Sequence, residues 1–288
     1  MVKIEMNINE LTLENLRARV SDLQREWSSK KPFRYVIIDD FLPVDFAEQL
    51  LATYPEPDIE GWNDTAYLHQ RKKFTKTSGF SEPIERFFVL TASPDFRDAI
   101  SAITGIQKLI DDPELVGGGL HQILRGGFLD VHVDYNFHPQ TKLHRRMNLL
   151  LYLNKDWKPE YEGYLELWDL ESNVQLNSIA PLFNRAVIFE TNEISYHGHP
   201  PPLNTPQHIT RKSLAIYYYT KEHDGAVIAP EHNTLYRQTT GIEGYVKTLR
   251  AATHTLSKRV GNQSKMELCR NLVRRTQRYL RGLPPENK

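Results

Sequence analysis

Gly126-Gly127-Phe128-Leu129-Asp130-Val131-His132-Val133-Asp134 is the stretch on which the fold turns. The glycines interrupt a preceding strand-like run, Leu120-His121-Gln122-Ile123-Leu124, and the chain then resumes with alternation. Leu129, Val131 and Val133 fall on one face, and Asp130, His132 and Asp134 on the other, the period of a half-buried strand. Side chains two apart on a strand share a face, so His132 and Asp134 can reach one point in space. With 11 histidines and 36 acids in 288 residues, roughly one H-x-D/E match is expected by chance. The pattern equally suits two polar residues on a half-exposed strand. The context must decide.

A third donor follows 63 residues after Asp134. Asn184-Arg185-Ala186-Val187-Ile188-Phe189-Glu190 reads as a strand with an apolar centre, and Thr191-Asn192-Glu193 as a turn. Ile194-Ser195-Tyr196-His197-Gly198-His199 then supplies two histidines, between which spacing does not choose. Two imidazoles and one carboxylate can occupy one face of an octahedral Fe(II), leaving three positions for a chelating ligand and O2. Arg211-Lys212-Ser213-Leu214-Ala215-Ile216-Tyr217-Tyr218-Tyr219 is another β-rich run, in which Arg211 and Ser213 share a face and Lys212 points away. A guanidinium fork with a hydroxyl beside it suits a carboxylate. Alternatively, Arg211 caps an exposed strand edge.

Five blocks in order resemble the prolyl 4-hydroxylase-like Fe(II)/2-oxoglutarate-dependent dioxygenases. They are Gly126-Gly127-Phe128-Leu129-x-x-His132-x-Asp134, the run Arg146 to Trp157, Gly163-Tyr164-Leu165-Glu166-Leu167-Trp168, His197, and Arg211. The likeness spans roughly residues 33 to 220, beginning near Pro32-Phe33-Arg34-Tyr35-Val36-Ile37-Ile38-Asp39-Asp40-Phe41-Leu42-Pro43. It implies a mostly β chain with flanking helices around a double-stranded β-helix, or jelly roll, with iron at one mouth. His132, Asp134 and His197 would be the metal ligands, His197 rather than His199 being the histidine the family pattern selects. Arg211 would hold the C5 carboxylate of 2-oxoglutarate, with Ser213 and Tyr152 as further cofactor-binding candidates. The implied cofactors are Fe(II), 2-oxoglutarate and O2, with ascorbate as an additional candidate. The implied reaction hydroxylates an unactivated C–H bond of a prolyl residue or small metabolite and releases succinate and CO2. An aspartate ligand points to hydroxylation rather than halogenation. The chain departs from the family at Leu151, where several relatives carry tyrosine, at Glu162-Gly163, where glycines are usually paired, and in the proline-rich stretch from His197 to Arg211.

Two other readings remain open. One is a non-catalytic metal-binding jelly roll acting as a sensor or binding protein. The other is a cupin-like metalloenzyme that does not use 2-oxoglutarate, for which an Arg211-x-Ser213 receptor would be superfluous.

The chain as a whole is expected to comprise an N-terminal amphipathic helix (1–30), a catalytic body (31–235) and a basic helical extension (236–288). Leu13, Leu16, Val20, Leu23 and Trp27 give the helix a 3-4 spacing. Packing on the jelly roll is the expected role, a homodimer contact the alternative. A helix is expected after Pro43, and specificity loops at 57–82 and 135–145, the second carrying His138 and His144 near the mouth. Gly117-Gly118-Gly119 lacks the Lys-Ser/Thr of a phosphate loop and reads as a tight turn, and His121 as a satisfied polar side chain near the core. From Tyr245 onward, 11 Lys/Arg face two Glu, so residues 245–281 are a candidate for weak contact with an anionic surface. A solvated helix pair packed on the body is the plainer alternative. Thirty-six bases balance 36 acids, so no global electrostatic partner is implied, and no nucleic-acid partner is expected. The partner would be a peptide or a small molecule. The single Cys269 suits a reducing compartment, and no apolar run approaches the ~18 residues of a membrane span, so a cytoplasmic protein is expected.

Overall fold

The computed structural model describes residues 8–57, 61–64, 69–221 and 229–237. The apolar stripe at the N-terminus forms α1 (Ile8–Ser29), with Leu13, Leu16, Leu23 and Trp27 buried. β1 (Tyr35–Ile38) follows, then α2 (Val44–Ala52) directly after Pro43. The region expected to be loop from residue 57 instead contains β2 (Asn63–Asp64) and β3 (Gln70–Lys76). The sequence of β3, Gln-Arg-Lys-Lys-Phe-Thr-Lys, is polar on both faces. Pairing with β2 and β4 makes it a strand, an instance of tertiary context overriding a weak local preference. α3 (Glu82–Ala92) and α4 (Pro94–Thr104) were not expected. Their punctuation is regular nonetheless: the Ser93 hydroxyl caps Phe96 N–H at 3.3 Å, Pro94 opens α4, and Gly105 ends it at φ 76°.

The remaining strands are β4 (Gly119–Val133), β5 (His144–Tyr152), β6 (Leu165–Asp169), β7 (Val174–Ile179), β8 (Arg185–Glu190), β9 (Tyr196–His199), β10 (Arg211–Thr220) and β11 (Leu235–Tyr236). They pair antiparallel in the order β1-β8-β5-β10-β4-β9-β6-β7, with β3 and β11 also against β4. This curled antiparallel sheet is the jelly-roll core that was expected. β4 does not break at Gly126-Gly127, as the sequence suggested, but runs through. β10 pairs with its first half and β9 and β11 with its second, while β3 pairs on both sides of the glycines, so one strand passes between the two layers of the roll. The glycines permit the bend: a Cβ on Gly127 would lie 2.5 Å from Ile123 Cγ2 and 2.9 Å from the Arg71 carbonyl.

The four helices cover the outer face of the larger layer. Leu16 and Trp27 of α1, Phe46 of α2, Phe87 of α3 and Phe96 of α4 join Met147, Leu149, Leu214 and Ile216 in one apolar cluster. α1 lies on α4 and β1, so it is part of the core. A second cluster, with Phe33, Tyr35, Leu165, Leu167, Val187 and Phe189, fills the space beside the inner face. At the other end of the body, the expected boundary between residues 235 and 236 falls within β11, whose two residues both pair with β4. The basic extension beyond Arg237 lies outside the described residues.

Deleting the buried Leu16 side chain (1 % exposed) should therefore cost about 2–5 kcal/mol of stability in Leu16→Ala. Arg25→Ala on the exposed face of the same helix should stay within about 0.5 kcal/mol. Urea denaturation of the full chain measures both, and a neutral Leu16→Ala would detach α1 from the core.

Candidate metal centre

Registry across two strands brings the metal-binding candidates together. His132 of β4 stands directly opposite His197 of β9. Close approach there depends on Gly198, where a Cβ would lie 2.8 Å from the Asp130 carbonyl oxygen and 2.9 Å from that of Leu129. These carbonyls bulge toward β9 because the register shifts between Leu129 and His132. The bulge also corrects the simple alternation read from sequence. Leu129 lines the same cavity as His132 and Asp134. Asp130 instead pairs with His69 at 3.1 Å.

Donor atoms of His132, Asp134 and His197 all lie within 4.8 Å of one another. His132 Nε2 is 3.6 Å from one carboxylate oxygen of Asp134, and His197 Nε2 is 3.5 Å from the other. His132 Nδ1 lies 2.7 Å from the Asp130 carbonyl oxygen, and His197 Nδ1 2.9 Å from that of Ser195. A carbonyl only accepts, so both rings carry the proton on Nδ1 and turn the Nε2 lone pair into the site. Burial, and then the neighbouring His132, pull the His197 pKa down to about 4, keeping its ring neutral at physiological pH. These three groups fit a divalent metal with open positions: two neutral nitrogens, one carboxylate and no fourth protein donor among the described residues.

Asp134 is itself held. Asn148 Nδ2 donates to its Oδ2 at 2.7 Å, and Arg145 Nη2 does so at 2.9 Å. Arg145 also donates through Nε and Nη2 to Asn148 Oδ1, at 2.9 and 2.7 Å, which fixes the amide's orientation. The guanidinium is sandwiched between Tyr217 and Tyr135, 3.5 and 4.6 Å from their ring centres. Burial alone would raise the Asp134 pKa, but Arg145, His197 and His132 together hold it well below the usual carboxylate range. The carboxylate is therefore charged and oriented, with Oδ1 turned to the His132 side. Sequence reading did not single out Arg145 and Asn148. The polar run His144-Arg145-Arg146, with Asn148 two residues further on, at the start of β5 was the available signal.

Arg211 and Ser213 both face the same cavity from β10, and Lys212 is absent from its lining. Arg211 Nε donates to the Gly163 carbonyl at 2.7 Å and Nη2 to the Tyr152 hydroxyl at 3.2 Å, with the Tyr152 ring 4.8 Å from the guanidinium. Tyr152 thus touches Arg211 and is itself fully buried. Gly163 is needed for this seat, since a Cβ there would stand 3.2 Å from Arg211 Cδ and 2.3 Å from Leu203. Glu162, the departure from paired glycines, takes φ 59°. Arg211 is 4 % exposed, yet among the described residues no carboxylate pairs with it. Lys73, from the unexpected β3, also lines the cavity; burial, the largest influence, lowers its pKa to about 8. His121 lines it too, its Nε2 2.9 Å from the Gly117 carbonyl oxygen. His138, expected over the mouth, is buried elsewhere: its Nδ1 accepts from the Gln140 and Thr141 amides and Nε2 lies 3.4 Å from Asp112.

Residues 118–219, which contain the whole of this constellation except Lys73, match the family model of the 2OG-Fe(II) oxygenase superfamily. Among solved structures, the chain is similar to a prolyl-4-hydroxylase from Pseudomonas putida, at 21% identity over 72% of this chain and 99% of that one, with TM-score 0.50. It is also similar to a Trichoplax adhaerens prolyl hydroxylase in complex with a hypoxia inducible factor oxygen degradation domain peptide fragment, at 17% identity over 73% and 93%, TM-score 0.53. A prolyl 4-hydroxylase from Phytophthora capsici shares 19% identity over 77% of this chain and 68% of that one, TM-score 0.53. At these identities the likeness shows the fold. No curated protein matches the sequence.

Removing any one metal-facing group, in His132→Ala, Asp134→Ala or His197→Ala, should strip most bound Fe(II), as read by metal content after gel filtration under argon. His199→Ala should keep it. Asn148→Ala should weaken metal binding by about 10–100-fold through the freed carboxylate. If His199→Ala loses the metal and His197→Ala retains it, the third ligand lies two residues further along.

Proposed function

We propose, from the match of residues 118–219 to the family model of the 2OG-Fe(II) oxygenase superfamily, that the chain is a 2-oxoglutarate-dependent dioxygenase that hydroxylates a prolyl residue or a small metabolite. His132, Asp134 and His197 would hold the iron, and Arg211 with Ser213 the distal carboxylate of 2-oxoglutarate. Tyr152 acts through Arg211, fixing its guanidinium. The observation that carries this reading is the buried Arg211 with no carboxylate partner among the described residues. A buried charge without a counter-ion is costly, and a guanidinium with donors to spare beside a hydroxyl matches a ligand carboxylate. A cupin-type site has no use for such a receptor, and a structural metal site needs no open face.

Bound iron supplies the O2 chemistry against an unactivated C–H bond, which no side chain provides. The protein's part is orientation and exclusion of water. His132 and His197 present lone pairs, Asp134 presents one oxygen while Arg145 and Asn148 occupy the other, and Arg211 sets where the 2-oxo acid ends. Ile123, Leu129, Leu150 and Leu165 form the apolar part of the cavity wall, which strengthens every polar contact inside it. Over the metal side, Tyr236 of β11 stacks on His69 at 4.3 Å and stands 5.3 Å from the His132 ring. The peptide bound by the Trichoplax protein supports a peptide substrate over a metabolite. Ascorbate as an accessory cofactor, a cytoplasmic setting, a homodimer and an anionic contact through residues 245–281 belong to the same proposal. No described helix is long and apolar enough to cross a membrane.

Anaerobic titration of the Fe(II)-loaded chain with 2-oxoglutarate should develop a metal-to-ligand charge-transfer band, and admission of O2 should give succinate. Absence of both would leave a metal-binding jelly roll. Arg211→Ala should lose roughly 2–5 kcal/mol of 2-oxoglutarate binding with iron retained, whereas Lys212→Ala, facing away, should match the parent. Equal losses would contradict the strand register. A chain ending at residue 240 keeps β11 and should keep iron and succinate formation. Its inactivity in a folded state, judged by circular dichroism, would assign the basic extension a role at the site.

A further inference from the structure

Residues 229–237 form a strap that fastens beside each of the three metal-facing groups, although it lies beyond the matched residues 118–219. Asn136, which follows Asp134 closely in the chain, donates through Nδ2 to the Pro230 carbonyl at 3.0 Å and accepts the His232 N–H at 2.9 Å. Leu235 and Tyr236 of β11 pair with Val133 and His132, and the Arg237 N–H reaches the Val131 carbonyl at 2.8 Å. Glu193, just before His197 in the chain, lies 3.6 Å from His232 Nε2.

These fastenings are polar. No residue of the strap is fully buried, and none joins an apolar cluster of the described residues. The Lys142–Glu231 ion pair at 2.7 Å is exposed, and such pairs contribute little. A short ladder with few buried apolar contacts opens locally while the rest of a fold stays closed.

The inward contact of the strap is an aromatic ring. β4 has two edges, and His132 meets His197 across one and Tyr236 across the other. The His132 ring centre lies 4.5 Å from that of His197 and 5.3 Å from that of Tyr236. Tyr236 in turn stacks on His69 at 4.3 Å and 12°, and His69 is braced by Asp130 at 3.1 Å. The bond from Nδ1 to the Asp130 carbonyl sets the His132 tautomer, but it leaves the tilt of the ring to whatever packs beside it. His197 faces the metal itself, so Tyr236 is the support supplied from outside the triad.

We propose that Tyr236 is a positioning residue for His132, and that the strap and the metal bind cooperatively. A closed strap holds the imidazole in place for the metal, and bound metal, by fixing the imidazole, holds the strap closed. This rests on the reading of His132, Asp134 and His197 as metal ligands and adds to it a segment beyond the matched domain. Linkage is reciprocal: the factor by which closure tightens the metal is the factor by which the metal suppresses opening.

The test is titration of the full chain with Co(II), whose d–d absorption reports coordination geometry, with amide hydrogen exchange at Arg237 reporting the strap. Tyr236→Ala should weaken Co(II) binding by about tenfold and alter the d–d spectrum. Tyr236→Phe, which keeps the ring, should restore both. Saturating Co(II) should slow Arg237 exchange by about tenfold in the parent, and leave it unchanged in Tyr236→Ala. Asn136→Ala unties the strap with the Tyr236 ring intact, so it should speed Arg237 exchange and weaken Co(II) together. Parent-like Co(II) binding in Tyr236→Ala, or a Tyr236→Phe chain as weak as Tyr236→Ala, overturns the assignment of Tyr236. Parent exchange at Arg237 that ignores Co(II), or faster exchange in Asn136→Ala at parent-like Co(II) affinity, overturns the coupling. A parent chain that takes up no Co(II) would instead remove the metal reading on which the proposal stands.

Discussion

The pairing of β4 with β9 is the constraint on which the site depends. It sets His132 opposite His197, and it holds only because Gly198 has no Cβ to meet the bulged carbonyls of Leu129 and Asp130. Shifting the register by one residue would turn one imidazole out of the cavity. The same pairing joins the two layers of the roll, because β4 is shared between them. Fold and site thus rest on one strand that bends at Gly126-Gly127 without breaking.

Around that pairing, charge is arranged in two ways. At Asp134 it is balanced: Arg145, stacked between two tyrosines, and Asn148 satisfy one oxygen and leave the carboxylate ionised in a buried place. At Arg211 it is left open. Gly163, Tyr152 and the β10 backbone fix the guanidinium, but no acid in the described chain answers it. Balanced charge orients a ligand to a metal, while open charge requires a ligand to complete it. An enzyme that must bind a cation permanently and an anion in each cycle needs both kinds.

The helices contribute indirectly. They cover the outer face of β5 and β10, which frees the inner face to carry Asn148, Arg211, Ser213 and Tyr217 toward the cavity. Residues alternate between these two duties along each strand. That division explains why Met147, Leu149 and Leu214 are apolar while Asn148 and Ser213 beside them are polar.

Patterns carried within single segments were legible in the sequence. The alternation at His132 and Asp134, the shared face of Arg211 and Ser213, and the stripe of α1 are local periodicities, and local sterics enforce them wherever the chain goes. What the sequence left undecided depended on partners distant in the chain. Lys73 enters the cavity because β3 pairs with β4, and nothing in Gln-Arg-Lys-Lys-Phe-Thr-Lys distinguishes that lysine from its neighbours. Arg145 meets Asp134 because β5 lies one strand from β10 and β10 one strand from β4. His199 lies in the cavity because β9 pairs with β4, where it stands opposite Leu129. A sequence determines which faces its segments have; only the tertiary structure decides which faces meet, because that choice is made by contacts between residues far apart along the chain.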